Sequence, residues 1–82
     1  MEEIGLKTLG RYIYNHVMSD RETYIYNLIH ENNVKGNNLT IQQLWQQISN
    51  YFSQNNDEPP FTFLQMKEII NDMVARDLVK SV

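Results

Sequence analysis

Residues 62–82, TFLQMKEIINDMVARDLVKSV, decide the fold of this chain. Met66, Ile69, Ile70, Met73 and Val74 recur at helical spacing and draw one apolar stripe. Thr62 and Gln65 have the spacing of a capping box, in which each side chain satisfies a backbone N–H that the first turn leaves unpaired. Phe61 before the cap and Met66 just inside the helix have the spacing of a hydrophobic staple. Beyond Arg76, in Asp77-Leu78-Val79-Lys80-Ser81-Val82, the apolar period shortens from helical to strand-like. The stretch predicts a well-capped helix that runs into a short strand.

Upstream, the same signature recurs. Thr40 and Gln43 form a second capping box, and Leu39 with Leu44 a second staple. Ile41, Leu44, Trp45, Ile48, Tyr51 and Phe52 follow on one face, the cleanest amphipathic run in the sequence, which puts Trp45 in the core. This predicts a helix over 40–52, closed by the acidic, Asn-rich loop SQNNDEPP at 53–60, whose prolines cannot continue it. Ser19 and Glu22 form a third box and open a helix over 20–31 with Tyr24, Ile25, Leu28 and Ile29 inward. Asn32-Asn33 and Gly36-Asn37-Asn38 stop it, because Gly and Asn tolerate the left-handed conformation of a helix end.

The first segment, about 6–17, places Leu6, Leu9, Tyr12 or Ile13, His16 and Val17 on one face and predicts a further helix, fraying before Thr8. Gly5 and Gly10 weaken it, each by up to about 1 kcal/mol inside a helix. The expected fold is mainly α: three or four helices around one core, with at most a small two-stranded sheet. Leu28, Leu44, Trp45, Ile48, Ile69, Ile70 and Met73 are expected among its most buried side chains.

With 82 residues the chain makes one domain, an extra N-terminal helix over 1–18 followed by a core over 19–82. So small a chain is marginal without staples, and there is no cysteine to supply them. A homodimer is therefore expected, with Leu9, Ile13 and Val17 in the contact. No apolar run approaches the roughly 18 residues of a membrane span, and MEEIGLKTLG lacks a signal peptide's basic start and apolar block. A cytoplasmic protein without a membrane partner is the expectation. The many Asn and Gln residues read as a low-GC coding bias, as in many Gram-positive bacteria, their phages and plasmids.

Little in the sequence suggests catalysis. His16 and His30 have no Cys or carboxylate at metal-ligand spacing, since Glu31 beside His30 faces another way on a helix. There is no nucleophile elbow, Gly-rich phosphate loop or paired-carboxylate motif. The reading is of a non-enzyme with no catalytic residue, no metal and no cofactor. The tetrapeptide Tyr-Ile-Tyr-Asn starts at Tyr12 and again at Tyr24. Its second tyrosines, Tyr14 and Tyr26, are expected to point outward, and with Asp57 and Glu58 they could make a partner surface.

The order of elements resembles a winged helix-turn-helix domain. In that comparison the helix at 20–31 is the first, Leu39-Thr40-Ile41 is a short strand, 40–52 is the second helix and 62–76 the recognition helix. Ile69-Ile70-x-x-Met73-Val74-x-x-Asp77-Leu78-Val79 looks like the family's entry into its wing, with Asp77 where Gly is usual. The turn between the second and third helices is long, about eight residues against the 3–4 of DNA-reading versions. The chain also reaches Val82 before a returning wing strand. The resemblance implies a small transcriptional regulator that binds double-stranded DNA. Thr62, Gln65, Lys67, Glu68, Asn71, Arg76 and Lys80 would be the contacts: amides for adenine edges, Lys67 and Arg76 for guanine or phosphate. The net charge of −3 runs against the basic patch that duplex binding needs. The competing expectation is a winged-helix-like module that binds protein, a phage factor or a subunit of a larger complex.

Overall fold

The computed structural model describes residues 5–9 and 18–82. In chain order these form β1 (Leu6–Thr8), α1 (Asp20–Val34), α2 (Ile41–Gln54), α3 (Phe63–Ala75) and β2 (Val79–Ser81). The fold is mainly α, three helices with a two-stranded antiparallel sheet, among the described residues. Among the described residues no helix is long and apolar enough to cross a membrane.

Each helix is closed at both ends by its own local sequence. Capping boxes open all three: Ser19 with Glu22, Thr40 with Gln43, and Thr62 with Gln65. All three end in the same double hydrogen bond, from the next two N–H groups back to carbonyls of the last turn. In α3 Leu78 N–H donates to the Met73 carbonyl at 2.9 Å and Asp77 N–H to Val74 at 3.1 Å. The residue at the turn must take a left-handed backbone, and Gly36 (φ 88°), Asn56 (φ 55°) and Asp77 (φ 59°) do so.

The core is Ile25, Tyr26 and Ile29 of α1, Leu44 and Ile48 of α2, Met66, Ile70 and Met73 of α3, with Leu6, Phe61, Leu78 and Val79 from the ends. Of the side chains expected to be most buried, Leu44, Ile48, Ile70 and Met73 are so. Leu28, Trp45 and Ile69 are half-buried and pack on the core's edge. Tyr51 and Val74, assigned to apolar stripes, are exposed. The stripes drawn from the sequence are wider than the contact each helix makes, so their outer members reach the surface.

The N-terminal expectation needs correction at its start, while positions 10–17 of the expected helix lie outside the described residues. Leu6–Thr8 is a strand, not the start of a helix, and pairs with β2 in the register Leu6↔Ser81, Lys7↔Lys80 and Thr8↔Val79. Gly5 shows why the chain can lie there: a Cβ on it would come within 2.3 Å of the Asn38 carbonyl oxygen. The other edge of β1 is also occupied. Leu6 N–H donates to the Leu39 carbonyl at 2.8 Å, although Leu39-Thr40-Ile41 is not itself a strand. The Asn33 carboxamide then acts as a strand's peptide group would, accepting from Thr8 N–H at 2.8 Å and donating to the Leu6 carbonyl at 3.0 Å. Asn32 and Gln47 exchange hydrogen bonds between α1 and α2 at 2.9 and 3.4 Å. These amides hold the fold together, which a coding bias alone does not explain.

The strand changes what α1 buries. Tyr26, expected to face outward, is buried and stacks on His30, whose Nδ1 lies 3.1 Å from the Thr8 hydroxyl. Its own hydroxyl is buried without a hydrogen bond. Tyr24 and Leu28 are half-buried instead. A helix flanked by a sheet on one side and helices on the other needs a broader apolar face than one stripe.

Candidate interaction surface

α3 projects its buried ridge, Met66, Ile70 and Met73, into the core and leaves a flank on either side. On the flank toward the start of α1, a hollow of about 390 Å³ includes Arg21, Glu22, Glu68, Ile69 and Asp72 in its lining. Two of its carboxylates, Glu22 and Asp72, are engaged. Arg76 Nη2 bonds both Glu22 Oε2 and Asp72 Oδ2, tying the end of α3 to the start of α1. The Arg76 side chain is 28% exposed and Glu22 16%. Ser19 backbone N–H donates to Glu22 at 3.0 Å, and this bond chiefly holds the Glu22 carboxyl below its ordinary pKa. Burial opposes the shift, while the Ser19 hydrogen bond to its side chain and the Arg76 charge reinforce it. Burial works to lower the Arg76 pKa, but the Asp72 hydrogen bond and the two carboxylate charges outweigh it and raise the value.

The flank toward α2 has a different chemistry. Gln42, Trp45 and Gln46 of α2 and Phe63 of α3 line an open trough of about 460 Å³, with no charged group among the described residues of its walls. Trp45 meets Phe63 edge-on at 5.8 Å and lies 6.2 Å from Phe61, so one aromatic row runs from the core to the surface. Lys67 Nζ sits 5.7 Å from the Phe63 ring centre, within cation–π range. Leu64, one residue along α3, is 63% exposed.

A third hollow of about 310 Å³ lies between α1 and α2 and is walled by Tyr24, Leu28, Glu31, Gln47 and Tyr51. Burial, followed by the neighbouring Tyr51 and Glu31, raises the Tyr24 pKa there.

Comparison with known protein families, with curated proteins and with solved structures returns no match for this chain. What the surface does has to be argued from its own groups.

The seven residues expected to contact DNA have separate fates. Thr62 and Gln65 are exposed but bonded to one another's backbone in the cap. Arg76 is ion-paired within the chain. Glu68 belongs to the carboxylate flank. Lys67 and Asn71 stand exposed one turn apart, and Lys80 is exposed on β2 opposite Lys7. Of the expected partner surface, Ile13, Tyr14 and Val17 lie outside the described residues. Tyr26 is buried and so unavailable, and Leu9 is half-buried with its N–H bonded to the Leu78 carbonyl. Among the described residues no cluster of His, Asp or Glu could hold a metal.

The aromatic trough went unread in the sequence because Trp45 fitted the core stripe and Phe63 fell outside it. The available signal was the spacing of Gln42 and Gln46, which places two amides on one side of the helix, flanking Trp45.

Proposed function

We propose that this chain is a small non-catalytic module, winged-helix-like in layout, that docks a protein through the α2–α3 flank. The observation that carries this reading is the contrast in how α3 uses its charges. Its C-cap cation, Arg76, is committed to Glu22 and Asp72. Within α3 itself Lys67 is the single basic residue against Glu68 and Asp72. Duplex binding draws most of its affinity from phosphate contacts, and a recognition helix of this composition offers few. The trough beside it instead displays a half-buried Trp and a half-buried Phe, with a lysine at its margin. Aromatic groups recessed beside polar ones are typical anchors of protein interfaces.

The layout supports the winged-helix comparison in one unexpected way. β1 lies between the Leu39 carbonyl and β2, so it occupies the place a returning wing strand would take. β1 thereby pairs with β2 beside α3 from the opposite end of the chain.

A second reading, duplex DNA recognition by a regulator, keeps one observation: Lys67 and Asn71 are exposed one turn apart on α3. A titration of random-sequence duplex at low salt, repeated at higher salt, separates the two. The docking reading expects no retarded complex. A complex that dissociates steeply with salt and is lost in Lys67→Glu would overturn it in favour of the regulator.

A further inference from the structure

The docking reading leaves the partner's chemistry open, and the groups around the trough narrow it. Among the described residues its walls are aromatic and amide, without a carboxylate. The adjacent charge is Lys67, which stands over Phe63. The acidic groups of α3 belong to the other flank, where Glu68 and Asp72 line a separate hollow and Asp72 is paired to Arg76.

The net charge of −3 would by itself favour a basic partner. Range decides between the two influences. A helix with its side chains is about 10–12 Å across. The screening length at physiological ionic strength is about 8 Å, so carboxylates on the far flank are damped at the trough while Lys67 is not.

We propose that the trough takes an acidic amphipathic peptide segment. An aromatic or large aliphatic anchor packs into the trough against the Trp45–Phe63 pair, and a carboxylate of the same segment reaches the Lys67 ammonium. Gln42 and Gln46, one turn apart along α2, hydrogen-bond polar groups at the segment's edge. This inference rests on the docking reading and adds the sign of the partner's charge.

Trp45 is the chain's single tryptophan, so its emission reports on the trough directly. The full chain is titrated with three N-acetylated helical peptides that share one Leu/Phe apolar face. Their remaining positions are filled with Glu, Gln or Lys. The Glu peptide is expected to shift Trp45 emission at the lowest concentration, with affinity roughly two- to five-fold above the Gln peptide, the range for one exposed ion pair. The Lys peptide should bind most weakly. Lys67→Glu should reverse the order, and Lys67→Gln, which leaves an exposed position uncharged, should erase it with an unchanged thermal melt. Equal affinities for all three peptides, or the Lys peptide binding tightest to the wild type, would overturn the acidic assignment and leave the docking reading intact. No change in Trp45 emission with any peptide up to millimolar concentration would overturn both.

Discussion

The two flanks of α3 lie on one helix, yet one has an ion-pair network closed within the chain and the other leaves its aromatic groups open to a partner. Toward α1, Arg76, Glu22 and Asp72 satisfy each other, and the Ser19 backbone completes Glu22. Toward α2, Trp45 and Phe63 meet edge-on and leave the trough beside them open, and Lys67 stands over a ring rather than beside a carboxylate. The difference teaches where to look for function in a domain without a catalytic signature. Charge alone points to the carboxylate flank, which is the more polar. Bonding points to the other, because groups whose interactions are complete within the chain contribute to stability and have little left for a partner.

Substitutions on the ridge and on either flank should therefore separate stability from binding. The largest effect belongs to the ridge that both flanks share. Ile70→Ala removes a fully buried side chain and should lower stability by about 2–5 kcal/mol, measured by urea unfolding. Both flanks should fail together, and a near-native midpoint would mean that α3 does not pack as described.

On the aromatic flank, Trp45→Ala should cost about 1–3 kcal/mol, less than a fully buried tryptophan because Trp45 is only half-buried. Peptide binding should be lost in a protein that still melts cooperatively. On the closed flank, Arg76→Ala should cost about 1–2 kcal/mol and leave peptide binding unchanged, which calorimetry on the folded variant can check.

The same flank predicts a pH dependence. Because the folded-state pKa of Glu22 is lowered, the unfolded chain takes up that proton more readily. The contribution of Glu22 is complete above the ordinary carboxylate range and is lost as pH falls through its depressed folded value. Glu22→Gln should flatten the acid side of the stability profile in chemical denaturation at stepped pH. An unchanged profile would show that the Ser19 and Arg76 contacts carry no charge-dependent stability. Smallest of all, Lys67→Ala should change stability by less than about 1 kcal/mol, since its one described contact is an exposed cation–π pair.

Much of this architecture was legible in the sequence, for a local reason. Capping boxes and stop residues act within four or five positions, so Ser19/Glu22, Thr40/Gln43 and Thr62/Gln65 could be read directly and all three close as expected. The left-handed backbone at Asp77 was not read from local signals, and Asp77 entered only through the resemblance, as standing where Gly is usual. What escaped was long-range. Leu6–Thr8 offers one apolar residue and one threonine at alternate positions, too little to distinguish a strand from the start of a helix. Its pairing depends on β2, more than seventy residues away. Asn33, which covers the outer edge of β1, gave no sign beyond its place at a helix end. Tyr26 was misplaced for the same reason, because its burial follows from where β1 lies. The trough was the least legible feature, since it exists only where side chains of α2 and α3 meet.

Photo-crosslinking from the two flanks tests the central claim most directly. A benzophenone amino acid is placed in turn at Gln46, in the trough, and at Glu68, on the closed flank, both exposed positions. Each protein is irradiated with the acidic amphipathic peptide and, separately, with duplex DNA. The account predicts a peptide adduct from position 46, little from position 68, and no DNA adduct from either. Equal peptide adducts from both positions, or a DNA adduct from position 68, would contradict it.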